Sequence, residues 1–376
     1  MKNEEKGIYI HIPFCKQKCF YCDFISFANR ENIIKDYVQA LKKEIQYNIK
    51  NFTNVTTIYI GGGTPSFINE VYIKEILEEI NIDKKDLEVT IEVNPGTATE
   101  SKLRAYKNIG INRLSIGLQS ANNKLLKQIG RIHTFEDFCN TYNLARKVGF
   151  ENINIDLMLG LPNQTISDLK ESLEQVVNLK PEHISVYSLI LEENTKLYNK
   201  VNLGEMTLPN EVLERQMYWY VKNTLELNGY NHYEISNFAK KGFESKHNIN
   251  CWKQKEYIGC GVAASSYFNG IRYSNTNCIE DYIKNIECGN FENNKIVEER
   301  QQEADKQKEF MMLGLRMLDG VSIQEFKNKF GQNPIYLFKK EFNKLVNKQL
   351  LYIDGDKINL TNKGLDLANM VWMEFV

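Results

Sequence analysis

Three cysteines lie in one short loop, with the spacing Cys15-Lys-Gln-Lys-Cys19-Phe-Tyr-Cys22, directly after an apolar run at residues 8–14. A loop this short can direct three thiolates at one centre, and thiolates are preferred ligands of zinc and of iron–sulfur clusters. Structural zinc sites usually bring their four ligands as two separated pairs, and no partner pair follows here. Three thiolates on a cubane cluster leave one iron open to a substrate or cofactor. The spacing therefore favours a cluster over zinc, and over three unrelated thiols in a buried turn.

This spacing is the signature of the radical S-adenosylmethionine superfamily, and further segments sharpen the resemblance. In the same order along the chain, they resemble segments of the branch that contains oxygen-independent coproporphyrinogen III oxidase and the HemW-type haem chaperones. The matching segments are Tyr9–Cys15, Tyr21–Phe24, Gly61–Pro65, Ile91–Pro95, Arg113–Gln119, Asn154–Pro162 and Tyr233–Ala239. Each segment alone is weak evidence, whereas the ordered set is strong.

The resemblance implies two cofactors. A [4Fe-4S] cluster would be held by Cys15, Cys19 and Cys22, and S-adenosylmethionine would bind to its open iron, where one electron from the cluster breaks the C5′–S bond homolytically. The positions that match S-adenosylmethionine contacts of the oxidase are Tyr9, Tyr21, Gly62, Gly63, Thr64, Glu92, Gln119, Arg131, Asp156 and Ile190. The residues alone also allow a core aromatic at Tyr9, a solvated charge at Arg131 and a tight turn at the glycines. We interpret His11 as structural.

Strand-like and helix-like stretches alternate up to about residue 192 and must position these groups. The strand candidates are Ile8–Ile12, Thr57–Ile60, Val89–Val93, Arg113–Ile116, Asn152–Leu157 and Ile184–Leu189. They are apolar on both faces, as in a buried parallel sheet, and amphipathic segments separate them. Six such units predict an α/β fold, and the resemblance selects a partial (β/α)6 barrel over a doubly wound sheet. The motifs follow the strands, at the end where parallel barrels carry their active sites.

Three regions follow from this pattern: a barrel at 1–235, a connecting segment at 236–300 and a C-terminal domain at 301–376. A long helix is predicted at Glu211–Leu227 and a charged stretch, 298–305, marks the last boundary. In the C-terminal domain we predict helices near Phe310–Met317, Ile323–Phe330 and Tyr336–Val346, a hairpin that turns at Asp354-Gly355, and a helix after Thr361. This order indicates a mainly helical, winged-helix-like domain. Basic residues barely outnumber acidic ones there, which favours a packing or lid role over DNA binding.

Composition narrows the setting of the protein. The formal net charge of −1 gives no general attraction to nucleic acid. No apolar run reaches membrane-spanning length, and the polar start of the chain lacks a secretory apolar region. We therefore expect a cytoplasmic protein with reduced thiols, no nucleic-acid partner and no transmembrane segment. Transient membrane association stays open.

Two departures separate the chain from the oxidase. In the oxidase a fourth cysteine follows two positions after the third, and this chain has Phe24 there. The oxidase also carries a long N-terminal extension, whereas this sequence begins a few residues before its first predicted strand. Both departures match the haem chaperones instead.

A positive feature supports the same choice. The chaperones carry a His-Asn-x-x-Tyr-Trp motif linked to haem, which His247-Asn-Ile-Asn-Cys251-Trp252 resembles with cysteine in place of tyrosine. Imidazole and thiolate are both axial haem ligands, so His247 is the leading candidate and Cys251 the second. We expect the haem near this segment, against the barrel mouth.

Three functional classes remain for this chain. The first is a haem chaperone that takes an electron donor for its cluster and delivers haem to an unidentified acceptor protein. The second is a coproporphyrinogen III oxidase, and the third is another radical enzyme of this branch, such as a methyltransferase. Haem binding without porphyrinogen turnover would distinguish the first, protoporphyrinogen production the second, and substrate-dependent cofactor consumption the third.

Overall fold

The computed structural model describes residues 5–50, 52–80, 82 and 86–376, so residues 1–4 of the polar start lie outside the described residues. Its first strands are β1 (Lys6–Ile12), β2 (Phe14–Cys15), β3 (Phe27–Ala28), β4 (Val55–Gly62), β5 (Glu88–Val93), β6 (Arg113–Gln119), β7 (Asn152–Leu159) and β8 (His183–Ser188). Strands β1 and β4 to β8 are parallel neighbours in this order, and β2 pairs with β3. The predicted six-unit α/β barrel is confirmed.

Helices cover the outer face of these strands. They are α1 (Ile34–Ile49), α2 (Glu70–Glu78), α3 (Glu100–Asn108), α4 (Asn123–Gln128), α5 (Phe135–Val148) and α6 (Ile166–Leu179). Thr134 and Thr165 begin α5 and α6 with capping boxes, which satisfy the first free N–H groups of each helix. The strand residues beneath the helices, such as Ile8, Ile58 and Ile91, are fully buried. The residues that alternate with them face the barrel interior.

The same sheet continues on both sides of the barrel strands. The added strands are β9 (Asn231–Glu234), β10 (Asn237–Ala239), β11 (Tyr257–Cys260), β12 (Ser265–Phe268), β13 (Ile271–Asn275) and β14 (Lys295–Arg300). Strand β10 pairs antiparallel with β8, and β11 pairs parallel with β1, which gives one sheet of twelve strands. The helices of this region are α7 (Lys196–Asn202), α8 (Glu211–Leu227), α9 (Lys246–Trp252) and α10 (Ile279–Glu287). Sequence analysis predicted α8 but none of these strands, which have only three to six residues each.

The C-terminal domain has its own hydrophobic core. Its helices are α11 (Glu303–Gly314), α12 (Ile323–Phe330), α13 (Pro334–Leu337), α14 (Lys339–Asn347), α15 (Asn362–Asp366) and α16 (Ala368–Trp372), and its strands are β15 (Val321–Ser322), β16 (Leu351–Asp354) and β17 (Lys357–Leu360). The predicted hairpin is present, with its turn at Gly355-Asp356. Within the described residues, no helix is long and apolar enough to cross a membrane.

Candidate functional site

A cavity of about 450 Å³ opens at the carboxyl ends of the parallel strands. Every residue predicted for the cluster and for S-adenosylmethionine lines it except Tyr9. These lining residues are Cys15, Cys19, Tyr21, Cys22, Gly62, Gly63, Thr64, Glu92, Gln119, Arg131, Asp156 and Ile190. The structure therefore brings together residues that are spread along the sequence from Cys15 to Ile190.

The cysteine loop is held by backbone hydrogen bonds to two other segments. The Phe20 N–H donates to the Ile129 carbonyl at 2.9 Å, and the Leu197 N–H donates to the Phe20 carbonyl at 2.8 Å. The Phe20 ring covers Gly130, where an added Cβ would lie 2.7 Å from a ring carbon. These contacts fix the middle of the loop and so position the cysteines on either side.

Cys15, at the end of β2, is buried beside the glycine turn that follows β4. The Thr64 hydroxyl donates to its Sγ at 3.5 Å, and the Asn94 amide donates to the Thr64 oxygen at 2.9 Å. A Cβ on Gly63 would lie 2.9 Å from the Cys15 Sγ. The turn thus needs glycine because its backbone approaches the thiol so closely.

Arg131 supplies fixed positive charge beside the second cysteine. Its Nη1 donates to the Cys19 Sγ at 3.6 Å, and its Nη2 donates to the Gly117 carbonyl at 2.6 Å and to Asn94 Oδ1 at 3.0 Å. Its Nε is buried without a hydrogen-bond partner in the described part of the chain. A guanidinium held this way stabilises thiolates and offers a free donor to an anionic ligand.

The three cysteines of the loop are free thiols. All eight cysteines are described, and none forms a disulfide. Among the described residues, no three or more His, Cys, Asp or Glu side chains are grouped so that they could hold a metal ion. Burial raises the pKa of the Cys22 thiol to about 11 and also raises the pKa of Cys15, so iron would have to displace their protons.

Glu92, at the end of β5, is held by two hydrogen bonds in the cavity. Its Oε1 accepts from the Tyr59 hydroxyl at 3.0 Å, and its Oε2 accepts from the Gly62 N–H at 3.1 Å. Burial, together with the nearby charge of Asp156, raises the pKa of Glu92 to about 7. A cationic ligand would lower this pKa by favouring the carboxylate.

Asp156, in β7, also faces the cavity. Its Oδ2 accepts from the Ser115 hydroxyl at 3.1 Å, and its Oδ1 accepts from the Asn154 amide at 2.7 Å. Burial raises the pKa of Asp156. The carboxylate therefore has a fixed orientation before any ligand binds.

The other predicted contacts differ in their placement. Gln119 has a left-handed φ of 71° at the end of β6, where the pairing with β7 shifts register. The Tyr9 ring stacks on Tyr59, and its hydroxyl lies 2.9 Å from His11 Nδ1. The His11 Nε2 donates to the Ile25 carbonyl at 2.9 Å, which supports the structural role expected for this histidine.

The cavity mouth has an exposed apolar rim. Phe24 is 64% exposed and Ile190 is 69% exposed, and both line the cavity. Because both line the cavity, they offer apolar surface to a ligand that binds there.

The segment His247–Trp252 does not lie against the barrel mouth, so that expectation was wrong. Helix α9 packs at the opposite end, where the parallel strands begin. The His247 Nδ1 lies 2.9 Å from the Thr57 hydroxyl, and the Glu88 carboxylate accepts from the Lys246 and His247 N–H groups at 3.0 Å each. Helix α9 lies at this end because the next strand, β11, begins there: β11 pairs in parallel with β1, with Tyr257 opposite Gly7.

His247 and Cys251 therefore stand apart from the cysteine loop. The His247 ring is buried and packs at 5.2 Å from the Tyr59 ring. Cys251 is partly exposed, and burial raises the pKa of its thiol to about 11. Trp252 stacks on Arg316, which also stacks on Trp372 of the C-terminal domain. This sandwich ties α9 to that domain.

Sequence analysis missed several residues of the cavity wall, namely Tyr59, Asn94, Ser115 and Tyr187. Asn94 lies inside a motif already singled out, Ile91–Pro95. The other three lie at inward positions of predicted strands, so the alternation of strand residues carries the signal that identifies them.

Two family profiles match the chain. The Radical SAM superfamily matches residues 9–176, and the HemN C-terminal domain matches residues 302–367. The haem chaperone HemW of Lactococcus lactis is 39% identical over 100% of this chain and 98% of its own length. The haem chaperone HemW of Bacillus subtilis is 39% identical over 99% of both chains. The chain belongs to the HemW family.

The fold of this HemW family member is also that of a solved relative. The coproporphyrinogen III oxidase HemN of Escherichia coli superposes with a TM-score of 0.86, covering 98% of this chain and 89% of the oxidase, at 22% identity. At this identity the likeness shows the fold, a radical SAM barrel with a C-terminal domain, and not the reaction.

Proposed function

We propose that this chain is a haem chaperone that binds haem, a [4Fe-4S] cluster and S-adenosylmethionine, and transfers haem to an acceptor protein. The observation that carries the proposal is the 39% identity to two HemW haem chaperones over the whole chain. The cavity supports it, since thiols, an arginine and acidic groups share one wall.

Cys15, Cys19 and Cys22 would hold the cluster, with Arg131 balancing its negative charge. When bound, the cluster and S-adenosylmethionine together supply one-electron cleavage of a sulfonium bond. The chain itself binds and orients: Glu92 offers a carboxylate to the cationic groups of the cofactor. Tyr21, Gly62, Gly63, Thr64, Gln119, Asp156 and Ile190 complete the wall, and Tyr9 supports it from behind through Tyr59.

His247 and Cys251 are our candidates for the haem ligands. In the described conformation the His247 ring is engaged by Thr57 and Tyr59, so coordination requires α9 to move away from the barrel. The apolar rim at Phe24 and Ile190 is the alternative place for the macrocycle.

We infer a cytoplasmic setting, because free thiols and a cluster need reducing conditions. The partners would be an electron donor and a haem acceptor, with no nucleic acid, and transient membrane association stays open.

The oxidase is the competing function, and Phe24 argues against it because the fourth cysteine is absent. The test is anaerobic incubation of reconstituted protein with coproporphyrinogen III, S-adenosylmethionine and a reductant. We expect no protoporphyrinogen above the background of the Cys15→Ala/Cys19→Ala/Cys22→Ala variant. Cofactor-dependent formation at enzyme-like turnover would replace the chaperone with the oxidase.

A further inference from the structure

A series of hydrogen bonds crosses the barrel interior from Asp156, in the cavity, toward α9. The Asn154 Nδ2 donates to Asp156 Oδ1 at 2.7 Å and to the Ser115 hydroxyl at 2.8 Å. The Asn154 Oδ1 lies 2.6 Å from the His183 Nδ1. Since only the NH₂ group of the amide can face a carboxylate, the orientation of Asn154 is fixed.

The series continues through His183 to the start of α9. The His183 Nε2 lies 2.7 Å from the Tyr233 hydroxyl, which accepts from the Ser245 N–H at 3.2 Å. The Asn154 oxygen can only accept, so the His183 Nδ1 carries the proton and Nε2 accepts from Tyr233. Burial lowers the pKa of His183, in keeping with a neutral ring that has one proton.

The residues that connect Asp156 to α9 are buried, and the donor and the acceptor of each hydrogen bond between them are defined. His183 is 0% exposed, Asn154 is 3% exposed and Ser245, the N-cap of α9, is 0% exposed. Release of α9 would remove the Ser245 N–H from the buried Tyr233 hydroxyl, and a buried polar group that loses a partner costs free energy. Strand β9, which carries Tyr233, is the element that joins the two ends.

We propose that His183 and Tyr233 are positioning residues that couple binding of S-adenosylmethionine at Asp156 to the docked position of α9. The proposal rests on the cofactor assignment made under the proposed function. A cationic ligand that holds the Asp156 carboxylate in its present position stabilises the same hydrogen bonds that docked α9 stabilises, so each favours the other. By thermodynamic linkage, release of α9 weakens binding in the cavity by the same factor.

The coupling would make S-adenosylmethionine binding and haem coordination oppose each other. Docked α9 keeps His247 engaged with Thr57, so S-adenosylmethionine would oppose haem coordination at His247. Loss of the cofactor would favour α9 release and with it haem uptake. The cavity and the segment His247–Trp252 at the opposite end of the barrel would thus respond to each other.

Cys251 reports the position of α9 without haem. Reconstituted protein is alkylated with N-ethylmaleimide, with and without S-adenosylmethionine, and labelling of each cysteine is followed by peptide mass spectrometry. We expect the cofactor to slow labelling of Cys251 about fivefold or more in the wild type. Tyr233→Phe removes the hydroxyl that contacts both His183 and Ser245. In this variant we expect Cys251 to be labelled at the same rate with and without S-adenosylmethionine.

Tyr230→Phe is the matched control. The Tyr230 hydroxyl is also buried and donates to a backbone carbonyl, that of Pro181, at 2.9 Å, but it lies outside the series. It should keep the wild-type ratio. Cys260, which is 0% exposed, reports global unfolding, so a variant that is merely unstable would label Cys260 and Cys251 faster together.

Cofactor binding is measured on the same samples by calorimetry. Binding with an equal labelling ratio in wild type and Tyr233→Phe would overturn the coupling and leave the cofactor assignment intact. Absence of binding in the wild type would overturn both. Haem takes no part in this experiment, so its outcome is independent of haem binding.

Discussion

The His247 Nδ1 lies 2.9 Å from the Thr57 hydroxyl, at the end of the barrel opposite to the cysteine loop. Burial and the charge of Arg113 lower the pKa of His247 to about 4, so the imidazole is neutral near neutral pH. Neutral imidazole is the form that binds haem iron. The ring is thus chemically suited to haem but held by the barrel.

Replacing His247 tests its role as a ligand. His247→Ala should shift the Soret band or weaken haem binding about tenfold or more, as loss of a metal ligand or its support does. Thr57→Val should strengthen haem binding, because it frees the ring. The measurement is haem titration, with His232→Ala, another buried histidine, as the control. Unchanged spectra and affinities in His247→Ala and Cys251→Ala would move the haem elsewhere, with the rim at Phe24 as the next site to test.

The cysteine loop should account for all bound iron and sulfide. Cys15→Ala/Cys19→Ala/Cys22→Ala should lose the broad iron–sulfur absorbance, because no other cysteines share the cavity. The matched control is Cys139→Ala/Cys278→Ala/Cys288→Ala, which removes as many thiols from partly or fully exposed positions. A full cluster in the first variant would refute the assignment.

Crowding at Gly63 should disturb the cluster without changing any ligand. An added Cβ would lie 2.9 Å from the Cys15 Sγ and 3.0 Å from the Pro13 carbonyl carbon, so Gly63→Ala should lower the iron content after reconstitution. Gly96→Ala is the control, since its Cβ meets nothing within 4 Å and only its φ of +78° is unfavourable. It should lose about 1 kcal/mol or more of stability and keep its iron. Equal iron in both variants would contradict close packing at Cys15.

Glu92 should make cofactor binding depend on pH. Its pKa of about 7 in the folded protein means that the carboxylate must lose a proton to bind a cation. S-adenosylmethionine affinity should therefore fall as pH drops from about 8 to about 6. Glu92→Gln should bind about tenfold more weakly and lose this slope, as calorimetry across this range would show.

The same group affects stability with the opposite sense. The pKa of Glu92 in the folded protein is raised from the ordinary value of 4.5 to about 7, so between these two pH values the native state binds more protons than the unfolded state. The free energy of unfolding therefore falls as pH rises toward about 7. Glu44, whose pKa burial also raises to about 7, lies outside the cavity. Glu44→Gln should change the pH dependence of stability but keep that of cofactor binding. A loss of the binding slope in Glu44→Gln would remove Glu92 from this role.

The barrel and most of its site could be predicted from local patterns. The strands of the barrel are buried on both faces, so short apolar runs such as Ile8–Ile12 identify them, and helical periodicity gave the bounds of α8 as observed. The motifs follow the strands, so barrel topology alone brings Cys15, Glu92 and Asp156 to one cavity.

The placement of α9 could not be predicted in this way. It depends on the parallel pairing of β11 with β1, between residues about 250 positions apart, and on contacts such as Glu88 with the His247 N–H. Neither leaves a periodic pattern in the sequence. The bonds from Asn154 through His183 to Tyr233 likewise join three strands, and each residue alone resembles an ordinary buried polar group.

This chain should bind haem while it carries its cluster. The most direct measurement is anaerobic titration of the reconstituted full chain with haem, followed at the Soret band, with the S-adenosylmethionine-free protein as the starting state. We expect a saturable spectral change, with a shifted band or weaker binding in His247→Ala. A linear response without saturation, equal to that of free haem in buffer, would contradict it.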